Sequence, residues 1–247
     1  MDAAVPGVNE LQAAIRYLND PFNWTRTNGI FDLAAQHLRI SVIAVAVAMA
    51  IGIPLGALLG HTGRGGGFTV ALSNVSRAVP TLALLTVFAV TPIGFGPTAT
   101  TIALALFALP PVLTNTYIGF RGVDRDVVEA SRAMGMDGRQ VLLRAELPLA
   151  VPLVMTGVRT AAVQVVATAT LAALVAGGGL GRIITLGFRQ QDYGAVLAGA
   201  IVVAALAVAT ELLLAVVSRA VTPGPQRWAV GRARRSRTET AGVTVLL

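Results

Sequence analysis

The pattern of apolar and polar positions divides the chain into long apolar segments separated by short polar ones. A helix that crosses the hydrocarbon core of a membrane needs about 20 apolar residues. Residues 40–60 contain no charged side chain, and the uncharged stretch 78–120 is twice as long. Turn-forming residues at 91–97 divide that stretch into two. The pattern therefore predicts an all-α membrane protein with five transmembrane helices, at about residues 40–60, 72–92, 97–118, 149–176 and 195–218.

The composition supports a lipid environment. Apolar residues make up 55% of the chain and charged residues 13%, against about 25% charged in an average soluble domain. Cysteine is absent, which excludes disulfides and thiol-based metal sites or nucleophiles. All 19 positions counted as Lys or Arg are arginine. In a soluble domain this basicity would suggest nucleic acid, but arginines that flank membrane spans explain it better, so we expect no nucleic-acid partner.

The distribution of arginines predicts the orientation. Five spans place residues 61–77, 119–148 and the tail from residue 219 on one side, with 13 arginines. The other side receives the N-terminal segment and residues 177–194, with five arginines. Cytoplasmic loops carry the excess of basic residues. We therefore predict a multi-pass protein with its N-terminus outside the cell and its C-terminus in the cytoplasm.

The two terminal segments differ from the predicted transmembrane domain, 35–222. Residues 1–34 lack the apolar core of a signal peptide. Four apolar residues in this segment recur at helical spacing: Val8, Leu11, Ile15 and Leu18. They predict a short amphipathic helix that lies on the membrane surface or packs against the bundle. Residues 223–247 form an arginine-rich tail, expected in the cytoplasm as a flank of the last span or as a segment that binds anionic lipid.

The connection between the third and fourth spans has the signals of two short helices. Asp126 and Glu129 have the spacing of a capping box, in which the first caps the helix and the second reaches back. Gly135 suits the left-handed residue that ends a helix. Asp137 and Gln140 repeat the capping pattern. The pattern predicts a helix–glycine–helix arrangement, which we call the elbow.

The elbow, residues 121–148, is predicted to bind another protein. A connection of this length is long for two helices of one bundle, and Pro148 is expected to interrupt its second helix. Ala130, Ala133 and Gly135 are small enough to let the backbone of a partner approach closely. We therefore interpret the elbow as a docking element on the cytoplasmic side.

One pattern extends over both elbow helices: Glu129, Ala130, Ser131, Gly135, Leu147 and Pro148. It resembles the Glu-Ala-Ala…Gly…Leu-Pro signature of bacterial ABC importer permeases. Ser131 replaces the second alanine of that signature, and Ala145 stands where isoleucine is usual. The resemblance implies that the elbow is the coupling helix, which sits in a groove of a cytoplasmic ATPase. The residues assigned to this coupling are Asp126, Glu129, Ala130, Ser131, Gly135, Leu147 and Pro148.

Three further segments carry the resemblance: residues 79–85, 113–123 and 177–181. Together they are similar to the permeases of osmoprotectant importers, which take up glycine betaine, carnitine or choline. The resemblance covers residues 30–224 and implies a type I ABC importer permease in the bacterial cytoplasmic membrane. The glycine run at 177–181 also occurs in methionine and sulfonate importers, so another small solute remains an alternative.

The resemblance also implies the partners. They are a cytoplasmic ABC ATPase dimer, a second permease subunit of the same or a related kind, and a separate extracytoplasmic substrate-binding protein. We expect ATP on the ATPase, no metal or cofactor on this chain, and no enzymatic activity, since the sequence lacks a phosphate-binding Gly-Lys motif and a nucleophile–base set.

His37 and His61, which flank the first span, are interpreted as interfacial residues. An ion-coupled secondary transporter or a membrane scaffold is a less favoured alternative, because no internal repeat is evident.

Several polar residues fall inside the predicted spans. Arg159 lies roughly 16 Å along the helix from Pro148 and Glu211 roughly 12 Å from Arg219, so both are near the middle of the membrane. An unpaired charge is costly at that depth. We therefore expect either that the two side chains pair or that each one separately snorkels to the membrane surface or faces a hydrated pathway. Three further polar residues are candidates for lining a pathway or for bonding between helices: Asn115, Tyr117 and Gln164.

Overall fold

The computed structural model of the chain describes residues 8–222, and every regular element in that range is a helix. In chain order the helices are α1 (Val8–Asn19), α2 (Pro21–Thr25), α3 (Ile30–Thr62), α4 (Gly66–Ala78), α5 (Thr81–Val90), α6 (Pro97–Arg121), α7 (Arg125–Ala133), α8 (Gly138–Gln140), α9 (Leu147–Thr168), α10 (Gly181–Gln190) and α11 (Tyr193–Val221). A π-helical turn (Val141–Glu146) joins α8 to α9, and a 3₁₀ segment (Ala169–Val175) extends α9. The predicted all-α fold is confirmed for this range, and the predicted tail, 223–247, lies outside it.

Four helical stretches among the described residues are long and apolar enough to cross a membrane: Pro21–Thr62, Pro97–Arg121, Gly138–Val175 and Tyr193–Val221. They contain the first, third, fourth and fifth predicted spans. The second, at about 72–92, consists instead of α4 and α5, which are separated at Val79 and Pro80. Pro80 has no N–H to continue the helix and disfavours helical backbone at Val79. Five crossings therefore stay a prediction.

Small residues form the centre of the bundle, where α3, α6 and α9 meet. Seven alanines belong to this buried cluster: Ala44, Ala48, Ala105, Ala108, Ala161, Ala162 and Ala169. Side chains of this size let helix backbones approach closely, which is how helices associate in lipid. The larger members, among them Leu104 and Val165, fill the remaining space.

A column of glycines sets the contact between α3 and α6. Gly52, Gly56 and Gly60 are all buried and lie one helical turn apart. A Cβ added to Gly56 would lie 2.7 Å from the carbonyl oxygen of Leu113, and one added to Gly60 would lie 2.6 Å from the Cβ of Phe120. Neither distance is possible without moving a helix. The small-xxx-small spacing thus brings the two backbones into direct contact.

The N-terminal helix packs on the bundle, which decides between the two placements predicted for it. A Cβ added to Gly194, at the start of α11, would lie 2.5 Å from the Cβ of Ala13. Ala14 is fully buried, whereas Leu11 and Ile15 are half exposed. The face of α1 that contacts α11 is therefore the small-residue face, and part of the predicted apolar face points outward.

The glycine run at residues 177–181, which we call the glycine loop, folds over the end of the bundle opposite the elbow. Gly178 and Gly179 have φ of 83° and 80°, a conformation that favours glycine. A Cβ added to Gly179 would lie 3.0 Å from His37 Nδ1, and one added to Gly181 would lie 1.9 Å from the carbonyl oxygen of Thr170. Both backbone conformation and close approach thus explain the glycines.

Candidate functional site: the elbow and the intramembrane ion pair

The N-cap of the first elbow helix, α7, lies two residues earlier than the sequence suggested. Asp124 is its N-cap, and Asp124 Oδ1 accepts a hydrogen bond of 3.1 Å from the backbone N–H of Asp126. The prediction that Asp126 caps the helix is therefore wrong. Both aspartates are acceptable caps by composition, but only Asp124 has the extended position just outside the helix, and Asp126 lies in the first turn.

The end of α7 is closed by a Schellman motif around Gly135. Gly135 has φ of 86°, in the left-handed region, as predicted. The N–H of the next residue, Met136, donates to the carbonyl oxygen of Ser131 at 3.2 Å, the long bond that defines the motif. A Cβ added to Gly135 would meet no atom within 4 Å. Gly135 is thus required by its backbone conformation, while the space beside it is open.

A small hydrophobic core holds the elbow together. Val123 before α7, Val128 within it and Val141 after α8 are buried against one another, and Met136 packs on them. Ser131 is also buried, and its hydroxyl donates to the carbonyl oxygen of Val127 at 2.7 Å. Ser131 therefore does not contribute to the outer surface, so its replacement of alanine leaves that surface unchanged.

The outer surface of the elbow includes exposed residues of α7 and its end, among them Arg125, Asp126, Val127, Glu129, Ala130, Arg132, Ala133, Met134 and Gly135. Four of the residues assigned to coupling lie here, namely Asp126, Glu129, Ala130 and Gly135. Pro148 is exposed too, at the start of α9, whereas Leu147 is half buried and packs against a cluster of α6 and α9 residues. The structure thus places an exposed helix with acidic, small and apolar positions at one end of the bundle.

The second elbow helix starts with the predicted capping box. The N–H of Gln140 donates to Asp137 Oδ1 at 2.8 Å, and the N–H of Asp137 donates to Gln140 Oε1 at 3.0 Å. The predicted interruption at Pro148 is wrong, because the helix continues through the π-helical turn into α9. Pro148 cannot donate to the carbonyl of Arg144, and its ring would clash with that group in a regular α-helix. The wider π turn accommodates the proline without ending the helix.

A buried hydrogen bond connects the π-helical turn to α3. His61 Nδ1 lies 2.6 Å from Glu146 Oε2, and the side chains of His61 and Glu146 are 17% and 2% exposed. The Nε2 atom of the same ring lies near Gly138, where an added Cβ would be 3.9 Å away. His61, at the end of α3, therefore contacts both the beginning of α8 and the turn that follows it.

Of the arrangements left open for the two charges inside the predicted spans, the structure shows the ion pair. Arg159 Nη2 on α9 donates to Glu211 Oε1 on α11. The pair is not sealed from its surroundings, since 32% of the Arg159 side chain and 41% of the Glu211 side chain remain exposed. A cavity of about 350 Å³ lies beside the pair, and Thr156, Thr160, Val163 and Gln164 complete its lining.

A second cavity, of about 460 Å³, lies between α5, α6 and α9. Its lining includes Asn115, whose Nδ2 donates to the carbonyl oxygen of Pro111 at 2.8 Å. The two cavities share Thr160 and Gln164. The structure therefore brings four of the five predicted polar residues, Asn115, Arg159, Gln164 and Glu211, to one continuous region. Tyr117 lies apart from them, where its hydroxyl would be 2.9 Å from a Cβ added to Gly66.

Both histidines make contacts inside the protein, which the interpretation from the sequence did not include. His37 is fully buried, with Nε2 donating to the carbonyl oxygen of Val166 at 2.8 Å and Nδ1 accepting from the N–H of Leu180 at 3.3 Å. It thus ties α3 to α9 and to the glycine loop. No local signal could have revealed either histidine contact, because the partner residues are distant in the chain.

The glycine column of α3 was also missed in the sequence analysis, although its spacing of four residues is visible in the sequence.

The chain is similar in sequence to permease proteins of known transport systems. The chain is 34% identical to the glycine betaine/carnitine/choline transport system permease protein OpuCB of Bacillus subtilis (strain 168), over 83% of this chain and 95% of that protein. It is 39% identical to the carnitine transport permease protein OpuCB of Listeria monocytogenes, over 76% of this chain and 86% of that protein.

Among solved structures, the chain resembles a permease in the MetNI methionine ABC transporter in an inward-facing conformation. The TM-score is 0.70 at 23% sequence identity, and the match covers 83% of this chain and all of that one. This likeness concerns the fold. The family model described as "Binding-protein-dependent transport system inner membrane component" matches residues 52–223. The chain therefore belongs to the family of inner-membrane components of binding-protein-dependent transport systems.

Proposed function

We propose that this chain is the membrane-spanning subunit of an ATP-binding-cassette importer that takes up osmoprotectants such as glycine betaine, carnitine or choline. Relatives with these solutes in their names are 34% and 39% identical to the chain. The fold is shared with a methionine transporter, but at 23% identity. The difference in identity favours quaternary amines over methionine.

The observation that carries the proposal is the compact elbow. Its core of Val123, Val128 and Val141 packs α7 against the segments before and after it. The outer face of α7 is exposed and includes Glu129, Ala130 and the open space beside Gly135. A rigid helix with a bare outer face suits insertion into a groove of another protein. The proposed partner is a cytoplasmic ATPase dimer, which would hold the ATP.

The orientation and the other partners follow from this assignment. The elbow end would face the cytoplasm, in agreement with the excess of arginines on that side. The opposite end, with residues 91–97 and the glycine loop, would receive the substrate-binding protein. Beyond Val203, α11 has no buried residue among those described, which leaves a long surface for a second permease subunit, either a copy of this chain or a related one.

Alternating access is the proposed mechanism. Closure of the ATPase dimer would displace α7, and the elbow core would pass the displacement to α6 and to the π-helical turn. From there the Glu146–His61 contact would pass it to α3. The polar region around Asn115, Arg159, Gln164 and Glu211 is proposed to line the route of the solute, because polar side chains in a bundle face protein or water rather than lipid.

Co-purification of the ATPase with substituted permeases tests the docking role. Gly135→Asp adds a charged side chain in open space, so we expect it to remove the ATPase from the purified complex while the permease remains folded. Gly94→Asp is the matched control, since Gly94 has a similar φ of 75° and equally open surroundings at the other end of the bundle.

The two variants share the backbone strain of a non-glycine residue at positive φ. A difference between them in ATPase binding therefore reports on docking alone. Equal ATPase content in both complexes would contradict the proposal. The solute is tested separately, by measuring whether uptake of glycine betaine depends on the complete transporter.

A further inference from the structure

The Arg159–Glu211 pair differs from a structural ion pair in being left open. Two charges inside a membrane are most stable when packing excludes other groups and all hydrogen-bonding positions are filled. Among the described residues, the Nε atom of Arg159 has no hydrogen-bond partner, and it is shielded from solvent. The rest of the pair borders a cavity of about 350 Å³, with 32% of the Arg159 side chain and 41% of the Glu211 side chain exposed. A charged pair that borders an open space is the arrangement expected of a site that receives a ligand.

The lining of this cavity supplies acceptors as well as a donor. The hydroxyls of Thr156 and Thr160 donate to carbonyl oxygens one turn earlier on α9, at 2.9 Å each. These hydroxyls therefore have no second proton to donate, but their oxygen atoms can still accept a hydrogen bond from a ligand. Glu211 adds a carboxylate that is 41% exposed. The cavity can thus accept a positive group on one side and donate to a negative group on the other.

The polar positions continue along one face of α9. Thr156, Thr160 and Gln164 follow one another at intervals of four residues and are all exposed. Thr160 and Gln164 also line the second cavity, so the two spaces are adjacent. On the α11 side, Glu211 lies in the part of the helix beyond Val203 where no described residue is buried. This polar face therefore needs water or a second permease subunit beside it, not lipid.

From this geometry we infer that Arg159 and Glu211 form a transit site for zwitterions, solutes that carry a fixed cation and a carboxylate within a few ångströms. The inference rests on the proposed function and adds the chemical class of the solute. A bound zwitterion would replace the Arg159–Glu211 ion pair with two new ion pairs, in which its cation lies against Glu211 and its carboxylate lies against Arg159. No charge is left uncompensated during the exchange. A solute with net charge leaves one partner unmatched.

The site is suited to brief occupation. None of the described residues that line the cavity beside the pair is aromatic, so a quaternary ammonium group would be held by charge and not by an aromatic cage. Before and after passage, Arg159 and Glu211 neutralise each other. Binding that is weak but sufficient is what transport requires, because the solute must also leave.

The first test compares two solutes in the complete transporter. The double variant Arg159→Gln/Glu211→Gln removes both charges without leaving either one unpaired. We expect the ratio of kcat/KM for glycine betaine, a zwitterion, to that for choline, a cation without a carboxylate, to fall about tenfold, equivalent to about 1.4 kcal/mol. A ratio within about twofold of the wild-type value overturns the inference. If the wild-type transporter carries neither solute, the proposed function fails instead.

The second test needs no transported solute and uses the absence of cysteine from the chain. In the assembled transporter, Thr160→Cys is treated with two methanethiosulfonate reagents, one bearing trimethylammonium and one bearing sulfonate. Both should react. Adding Glu211→Gln should slow the cationic reagent, and adding Arg159→Gln should slow the anionic one, each about fivefold.

Val42→Cys, on the exposed face of α3, is the control that should not react, because that face contacts lipid. Failure of Thr160→Cys to react with either reagent, or rates that do not change when a charge is removed, overturns the transit site. Neither outcome affects the docking of the ATPase, so the two proposals fail separately.

Discussion

The His61–Glu146 and Arg159–Glu211 pairs place the same kind of acid in opposite surroundings. Glu146 is 2% exposed and is enclosed where α3 meets the π-helical turn, whereas Glu211 is 41% exposed and borders a cavity. The first pair joins α3 to the π-helical turn. The second is open to its surroundings. In the proposed mechanism, enclosure rather than charge distinguishes the contact that transmits movement from the contact that binds solute.

The enclosed pair should be the more sensitive to loss of one partner. We expect His61→Leu to destabilise the protein by about 3–5 kcal/mol, because it leaves a buried carboxylate without a partner. Thermal unfolding of the purified permease in detergent measures the effect. The double variant His61→Leu/Glu146→Leu should recover most of the loss, since no buried charge remains. Wild-type stability in His61→Leu would show that the contact does not matter.

The open pair should tolerate the same change better. Arg159→Gln is expected to cost about 1–2 kcal/mol, less than the loss of a fully buried partner, because Glu211 is 41% exposed and can reach water. Exchange of the two charges, Arg159→Glu with Glu211→Arg, should restore assembly of the permease in membranes. If the exchanged variant assembles no better than either single variant, the pair does not stabilise the bundle.

The smallest effect concerns the capping of α7. Asp124→Ala should destabilise the elbow by about 1 kcal/mol through loss of the N-cap. Asp126→Ala removes only a favourable charge in the first turn, worth about 0.3–1 kcal/mol. Hydrogen exchange of the α7 amides distinguishes the two variants. Faster exchange in Asp126→Ala than in Asp124→Ala would reverse the assignment of the cap.

The features predicted correctly depend on local spacing. Left-handed Gly135 and the Asp137–Gln140 capping box are decided by a few neighbouring residues. The Arg159–Glu211 pair could be named as one of the possible arrangements because both charges lie at similar depth in antiparallel spans, where an unpaired charge is costly. In each case the physical rule acts within one helix or between two predicted helices of known direction.

The features missed or misplaced depend on tertiary contacts. Glu146 lies 85 residues from His61, and no spacing rule joins them. Pro148 suggested a helix end because proline blocks an α-helix, yet the chain absorbs it by a wider turn. Asp124 and Asp126 are equally good caps in isolation, and the burial of Val123 and Val128 in the elbow core decides where α7 begins.

The helical path from Gly138 through the π-helical turn to Val175 runs without a break for 38 residues, roughly 55 Å at about 1.5 Å per residue. It begins in the elbow and ends beside the glycine loop. Such a path acts as a lever: if it pivots as one body, a tilt of about 5° at the elbow carries its far end sideways by about 5 Å. If a partner docks on the elbow as proposed, small movements there would be enlarged at the opposite end of the bundle, and α3 would follow them through the His61–Glu146 contact.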